Sequence, residues 1–137
     1  MVTVNWQGGL AFEADPPSGV KWVMDAGDGQ KVGHSPLEGL LAAVAACSAV
    51  DVVIVLEKKR QKIASYRIEI DGVRTRDGEY PRPFVEMTIR HILTGEGLDP
   101  LAVQRAVELS DQKYCTVIAT LRQSPAIKSE WVIEDQN

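Results

Sequence analysis

Cysteine is scarce in this chain: Cys47 and Cys115 are the only two among 137 residues. They stand 68 positions apart, which excludes a CxxC redox loop and leaves their meeting to the fold. Together with two histidines, His34 and His91, they match no standard zinc spacing, so no metal site is expected. GxSxG, P-loop and dinucleotide fingerprints are all missing. Basic charge is not in surplus. Fifteen Lys and Arg face 19 Asp and Glu, a net charge of -4, which offers no footprint for nucleic acid or anionic lipid. The short cluster Lys58, Lys59, Arg60 and Lys62 reads as favourable charge at the C-terminal end of a helix. No N-terminal basic-then-apolar segment stands at the start, so the expectation is a cytoplasmic protein whose cysteines are free or transiently paired. The apolar run Leu40 to Leu56 spans about 17 residues and carries Asp51, whereas a membrane span wants about 20 without a central carboxylate. A core helix is expected there, not a membrane anchor. Repeats, linkers and low-complexity tracts are absent.

What is present is ordinary globular material, 45% hydrophobic and 25% charged, enough for a single domain over residues 1–137. The first thirty residues alternate in short runs, Val2 to Trp6, Leu10 to Ala14 and Val20 to Met24, punctuated by Gly and Pro, and predict an antiparallel meander. Ser35-Pro36 with Glu38 is a helix start, and the helix is expected from Pro36 to about Gln61. Tyr66, Ile68 and Ile70 share one strand face; Val85, Met87, Ile89 and His91 share another, across a polar hairpin tip from Arg76 to Pro83. Asp99-Pro100 caps a helix through about Ser110, with Leu101, Ala102, Ala106 and Leu109 on or near its buried side. A short helix over Cys115 to Gln123 and a strand over Ile127 to Ile133 complete an α+β architecture of antiparallel sheet against a long central helix. A helix apolar on nearly every side needs more cover than so short a chain provides, which predicts a tight, interleaved homodimer.

Thiol chemistry is the sharpest hypothesis. On a helix Cys47 shares a face with Leu40, Ala43, Val44, Val50, Asp51 and Ile54, where a cysteine also packs simply as a small hydrophobe. Apolar burial and Asp51 one turn away both raise a thiol pKa, so a reactive Cys47 requires an outside cation. Cys115 follows Lys113 and Tyr114 at a helix start, whose amides favour a thiolate. A half-buried structural cysteine is the alternative there. His91, on an apolar strand face, reads as a satisfied core histidine.

The segment Ser35-Pro36-Leu37-Glu38-Gly39-Leu40-Leu41-Ala42-Ala43-Val44-Ala45-Ala46-Cys47 resembles the central-helix signature of the OsmC/Ohr superfamily. Val107-Glu108-Leu109-Ser110-Asp111-Gln112-Lys113-Tyr114-Cys115 resembles its second-cysteine signature, and Cys47 to Val53 with Tyr114-Cys115 look closest to the YhfA-like branch. The resemblance implies the OsmC-like fold, an intertwined homodimer with sites at the subunit interface, and thiol-dependent reduction of organic hydroperoxides. It implies Cys47 as the peroxidatic thiolate, Cys115 as the resolving thiol, a dithiol reductant that reopens their disulfide, and no need of a metal or organic cofactor. The peroxidase members resemble one another in an N-terminal-sheet arginine held by a glutamate. This chain has no arginine before Arg60, which leaves Lys21 or Arg82 to replace it and Glu38 to hold the replacement, with Leu37 standing where the active peroxidases place the acid. Glu38 is nine residues before Cys47, about 13 Å along one helix, and would act through a cation or across a dimer. Phe84, beside the hairpin tip, completes the expected substrate-binding set. A non-catalytic member that binds a small apolar or electrophilic ligand, as a redox sensor, is the alternative.

Overall fold

The computed structural model describes residues 1–135, so the expected domain span of 1–137 runs past the described residues at Gln136 and Asn137. Strands β1 (Thr3–Trp6), β2 (Ala11–Asp15) and β3 (Trp22–Asp25) pair antiparallel in that order, as the alternation predicts. Gly8 and Gly9, at φ of 96° and 54°, supply the left-handed backbone that turns β1 into β2. Only Ala14 and Asp25 of this meander are buried, while Val4, Trp6, Phe12 and Trp22 face solvent.

Helix α1 (Pro36–Lys58) starts at a complete capping box: Ser35 Oγ accepts from the Glu38 amide at 3.1 Å and Glu38 Oε1 accepts from the Ser35 amide at 2.8 Å. It stops three residues short of the expected Gln61. The Arg60 amide donates to the Glu57 carbonyl and the Gln61 amide to the Leu56 carbonyl, both at 2.9 Å, around Arg60 at φ 58°. That is a Schellman stop with arginine where glycine is usual, so the sequence carries no punctuation to announce it. Val44, Ala45, Ser48, Val52 and Leu56 are buried on one face, whereas Ala42, Ala43, Ala46, Val50 and Ile54 are exposed on the other. By length and composition alone α1 is apolar enough to cross a membrane; its buried face is spent on the neighbours described next.

Strands β4 (Ser65–Arg74) and β5 (Phe84–Thr94) form a long antiparallel hairpin, from Ser65 opposite Thr94 to Arg74 opposite Phe84. Tyr66, Ile68 and Ile70 turn inward, as do Met87, Ile89 and His91, but Val85 does not. The register slips between Val73 and Arg74, leaving Val85 as the extra residue of a bulge, 64% exposed, and placing Phe84 on the inner face instead. The Phe84 ring lies directly over Gly72, where a Cβ would collide with it.

Helix α2 (Pro100–Leu109) is capped by Asp99, and its buried stripe is Ala102 and Ala106 with Val103 and Val107 half-buried. Leu101, expected inside, is 72% exposed because the first turn presents it on the opposite side. A single π-helical turn, Ser110–Tyr114, joins α2 to α3 (Thr116–Gln123). The expected strand over Ile127 to Ile133 does not form: residues 124–135 are irregular and exposed, with Ile127, Trp131, Val132 and Ile133 all more than 80% accessible. A strand needs a sheet edge to pair with, and here the segment pairs with none.

Two clusters make the core. Val52 and Leu56 meet Ala102 and Ala106 beneath Tyr66 and Leu93, and Val44 meets Cys115 and Ile118 beneath Ile70, Met87 and Ile89. Leu56 is fully buried, so Leu56→Ala is expected to lower stability by about 2–5 kcal/mol in chemical denaturation. Arg60→Gly, relieving the left-handed stop, is expected to raise it by about 0.5–1 kcal/mol in the same assay.

Candidate active site

Cys47 projects from the middle of α1 and Cys115 is the residue that caps α3, yet both sulfurs belong to the second core cluster. Both thiols are free, Cys47 half-buried and Cys115 only 3% exposed. Burial pushes the Cys115 thiol up from its ordinary range, and the Cys47 thiol beside it pushes the same way. The amides of Ile118 and Val117 at the start of α3 oppose them. The helix-start stabilisation expected from sequence is therefore present, and burial outweighs it.

A polar knot joins α1, one residue after Cys47, to the start of the π-turn that ends before Cys115. Ser110 Oγ lies 3.0 Å from Asp51 Oδ2, 3.1 Å from the Ser48 carbonyl and 3.3 Å from Ser48 Oγ, with Ser110 and Ser48 0% and 2% exposed. Ser110 Oγ is the donor in all three contacts, and a hydroxyl has one proton to give, so Ser110 shares it among the Asp51 carboxylate, the Ser48 carbonyl and the Ser48 hydroxyl. Sequence reasoning overlooked this arrangement. The signal was partly there: Ser48 and Asp51 are the only polar positions in the apolar run, three apart and so on one helix face.

The remaining expected residues lie elsewhere within the chain. Glu38 is exposed and committed to the cap of α1, its carboxyl held below the usual range first by the Ser35 amide and then by the Ser35 side chain. Lys21 faces Glu13 and Asp15 at 3.7 and 3.8 Å on the N-terminal sheet. Arg82 closes the hairpin tip, donating from Nε to the Thr75 carbonyl at 3.0 Å and pairing with Asp77 at 2.9 Å. Phe84 lines an apolar groove of about 600 Å³ with Leu37, Leu40, Leu121 and Arg122. Val44, Met87 and Ile118 belong both to its wall and to the cluster that holds the thiols. The cations nearest Cys115 are Lys113 and Arg122, which share a smaller hollow of about 190 Å³ with it. Arg122 is engaged there by Asp111, at 2.8 Å to its carbonyl and 3.1 Å to its carboxylate. Among the described residues, no guanidinium or ammonium donates to either sulfur, and no three His, Cys, Asp or Glu converge to hold a metal ion. His91 is satisfied by Tyr66, whose hydroxyl lies 2.6 Å from Nδ1; burial raises the Tyr66 pKa to about 12 and lowers that of His91.

A cysteine in the middle of a long apolar helix, met by a second cysteine capping a later helix, is an arrangement with known counterparts. Residues 27–130 match the family model described as OsmC-like protein. The chain belongs to the OsmC-like family. Protein YhfA of Escherichia coli strain K12 is 37% identical over 130 residues, 95% of each chain. A hypothetical protein from Aquifex aeolicus VF5 is 29% identical with a TM-score of 0.79, covering 90% of this chain and 87% of that one. An organic hydroperoxide resistance protein OsmC from Legionella pneumophila shares the fold at 15% identity and a TM-score of 0.64, over 89% of each chain. In this OsmC-like chain the signatures read from sequence fall on α1 and on the π-turn before α3, the two elements whose contact makes the site.

Because the folded state raises the Cys115 pKa, its contribution to stability is intact below the thiol's unfolded pKa of about 8.5 and is lost as pH rises through the folded value. Wild type is therefore expected to lose stability relative to Cys115→Ser above about pH 8.5, measured by denaturation across pH 6–10. Equal pH dependence in the two proteins would contradict the burial account.

Proposed function

We propose that this OsmC-like protein reduces organic hydroperoxides through Cys47 and Cys115. What supports the reading is one juxtaposition: thiols 68 residues apart meet in a buried apolar cluster whose residues also wall a groove of about 600 Å³. The groove suits the alkyl part of a hydroperoxide better than hydrogen peroxide. Cys47 thiolate attacks the outer oxygen, the O–O bond breaks, and the alkoxide leaves with a proton as the alcohol. The Cys47 sulfenic acid then condenses with the Cys115 thiol, releasing water and forming a disulfide. A dithiol reductant, of the kind a reducing cytoplasm supplies, takes the disulfide back to two thiols by exchange. The name of the Legionella relative agrees with this chemistry.

The working form is proposed to be a homodimer. The exposed apolar face of α1, the loosely held N-terminal sheet and the unpaired Ile127–Ile133 segment are all surfaces a second copy of the chain would cover. A second copy also supplies what one chain lacks at the sulfurs. Lys21 on the N-terminal sheet and Arg82 on the hairpin tip are the cations offered to it, and Glu38 is the carboxylate that anchors one of them. Phe84 is assigned to the substrate wall.

One observation favours a second reading. Among the described residues no cation donates to either sulfur and burial holds the Cys115 pKa up, which suits a dithiol that binds an apolar or electrophilic ligand and responds slowly, as a sensor.

The two readings separate in stoichiometric thiol loss with cumene hydroperoxide. The peroxidase predicts rapid loss of both thiols in wild type, one oxidised thiol in Cys115→Ser and none in Cys47→Ser. Slow, equal loss in all three proteins would exclude it and favour the sensor. Ile54→Glu, on the outer face of α1, is expected to convert a dimer to monomer by light scattering; a monomeric wild type would remove the dimer.

A further inference from the structure

The polar knot that joins α1 to the π-turn has a shape that packing alone does not require. Ser48 follows Cys47 directly on α1. Ser110 opens the π-turn that ends at Cys115, and its carbonyl accepts the Cys115 amide at 2.9 Å. Ser110 is thus held at both ends, by its hydroxyl to Ser48 and Asp51 and by its carbonyl to the backbone of the second cysteine. π-helical turns are rare and recur at functional sites. Here it is the turn that delivers Cys115 to the Cys47 side of α1. Its second residue, Asp111, is tied separately to Arg122 on α3.

We propose that Ser110 is a positioning residue for disulfide closure, holding the Cys115 thiol against Cys47 through its bonds to Ser48 and Asp51. The proposal rests on Cys47 and Cys115 acting as a redox pair, not on the oxidant being a hydroperoxide. Whatever first oxidises one cysteine, the second step is an intramolecular attack whose rate depends on how closely the two sulfurs are kept together. Ser110→Ala removes the only proton that links the π-turn to the Ser48 carbonyl and the Asp51 carboxylate. Asp51→Asn keeps an oxygen acceptor at the same place, whereas Asp51→Leu does not.

The experiment uses the reduced full-length protein in two reactions. In the first, one equivalent of diamide oxidises the dithiol: one thiolate adds to the N=N bond, the other displaces the hydrazine product, and the disulfide forms. In the second, cumene hydroperoxide is added with dimedone present to trap Cys47 sulfenic acid. Ser110→Ala and Asp51→Leu are expected to slow closure about tenfold and to increase dimedone-trapped Cys47, while the first attack keeps its wild-type rate in Ser110→Ala and is no slower in either Asp51 variant, whose lost charge favours the Cys47 thiolate; closure in Asp51→Asn stays within about twofold. General loosening of the fold would slow both steps, so the split between them separates positioning from mere stability. Should Ser110→Ala fail to fold, the contrast between the two Asp51 variants decides alone. Wild-type closure rates in Ser110→Ala and Asp51→Leu would overturn the proposal and leave the hydroperoxide reading intact. A wild type that closes with diamide but ignores the hydroperoxide would overturn that reading and leave this one standing. Closure with neither oxidant overturns both.

Discussion

A helix with no polar face has to be enclosed, and α1 imposes that constraint on everything around it. The β4–β5 hairpin, α2 and α3 cover one side, through two apolar clusters built largely of small and branched residues. Ala102 and Ala106 let α2 approach closely enough to seal Val52 and Leu56. Ile118 seals Val44 and brings Cys115 with it. The other side, Ala42, Ala43, Ala46, Val50 and Ile54, is left open by a single chain. The site and the proposed dimer follow from the same requirement, applied to opposite faces of one helix.

Enclosure sets the chemistry as well. A thiolate next to a helix N-terminus is favoured, and the amides of Ile118 and Val117 do act to lower the Cys115 pKa. Placed 3% exposed against Cys47, it loses more from burial than it gains. That balance suits a resolving thiol, which needs proximity to its partner more than a standing charge. Polar groups inside such an enclosure must be paired, and Ser48, Asp51 and Ser110 pair with one another across the contact that joins the two cysteines.

Much of this was legible in the sequence because local chemistry and tertiary role coincide. The capping box announces α1, Asp99-Pro100 announces α2, and strict alternation announces β4. What was not legible depends on long-range partners or on a residue used against its preference. Arg60 ends α1 in a conformation that glycine normally takes. Val85 breaks the alternation of β5 because a bulge puts Phe84 inside. Ile127 to Ile133 has the composition of a strand and no edge to pair with. At the site, both cysteines and the helix start beside Cys115 were readable. Their contact was not, since nothing local links positions 68 apart, and the Ser110 knot was visible only as two polar residues breaking an apolar helix.

The central claim is that Cys47 and Cys115 act as one redox pair within a chain. Its most direct measurement is peptide mapping by mass spectrometry after reduced protein has met one equivalent of an organic hydroperoxide per chain, with free thiols blocked by alkylation before digestion. The account predicts a single intrachain link between the Cys47 and Cys115 peptides, removed by dithiothreitol. Recovery of both cysteines alkylated, or of Cys47 as sulfinic acid beside an alkylated Cys115, would contradict it.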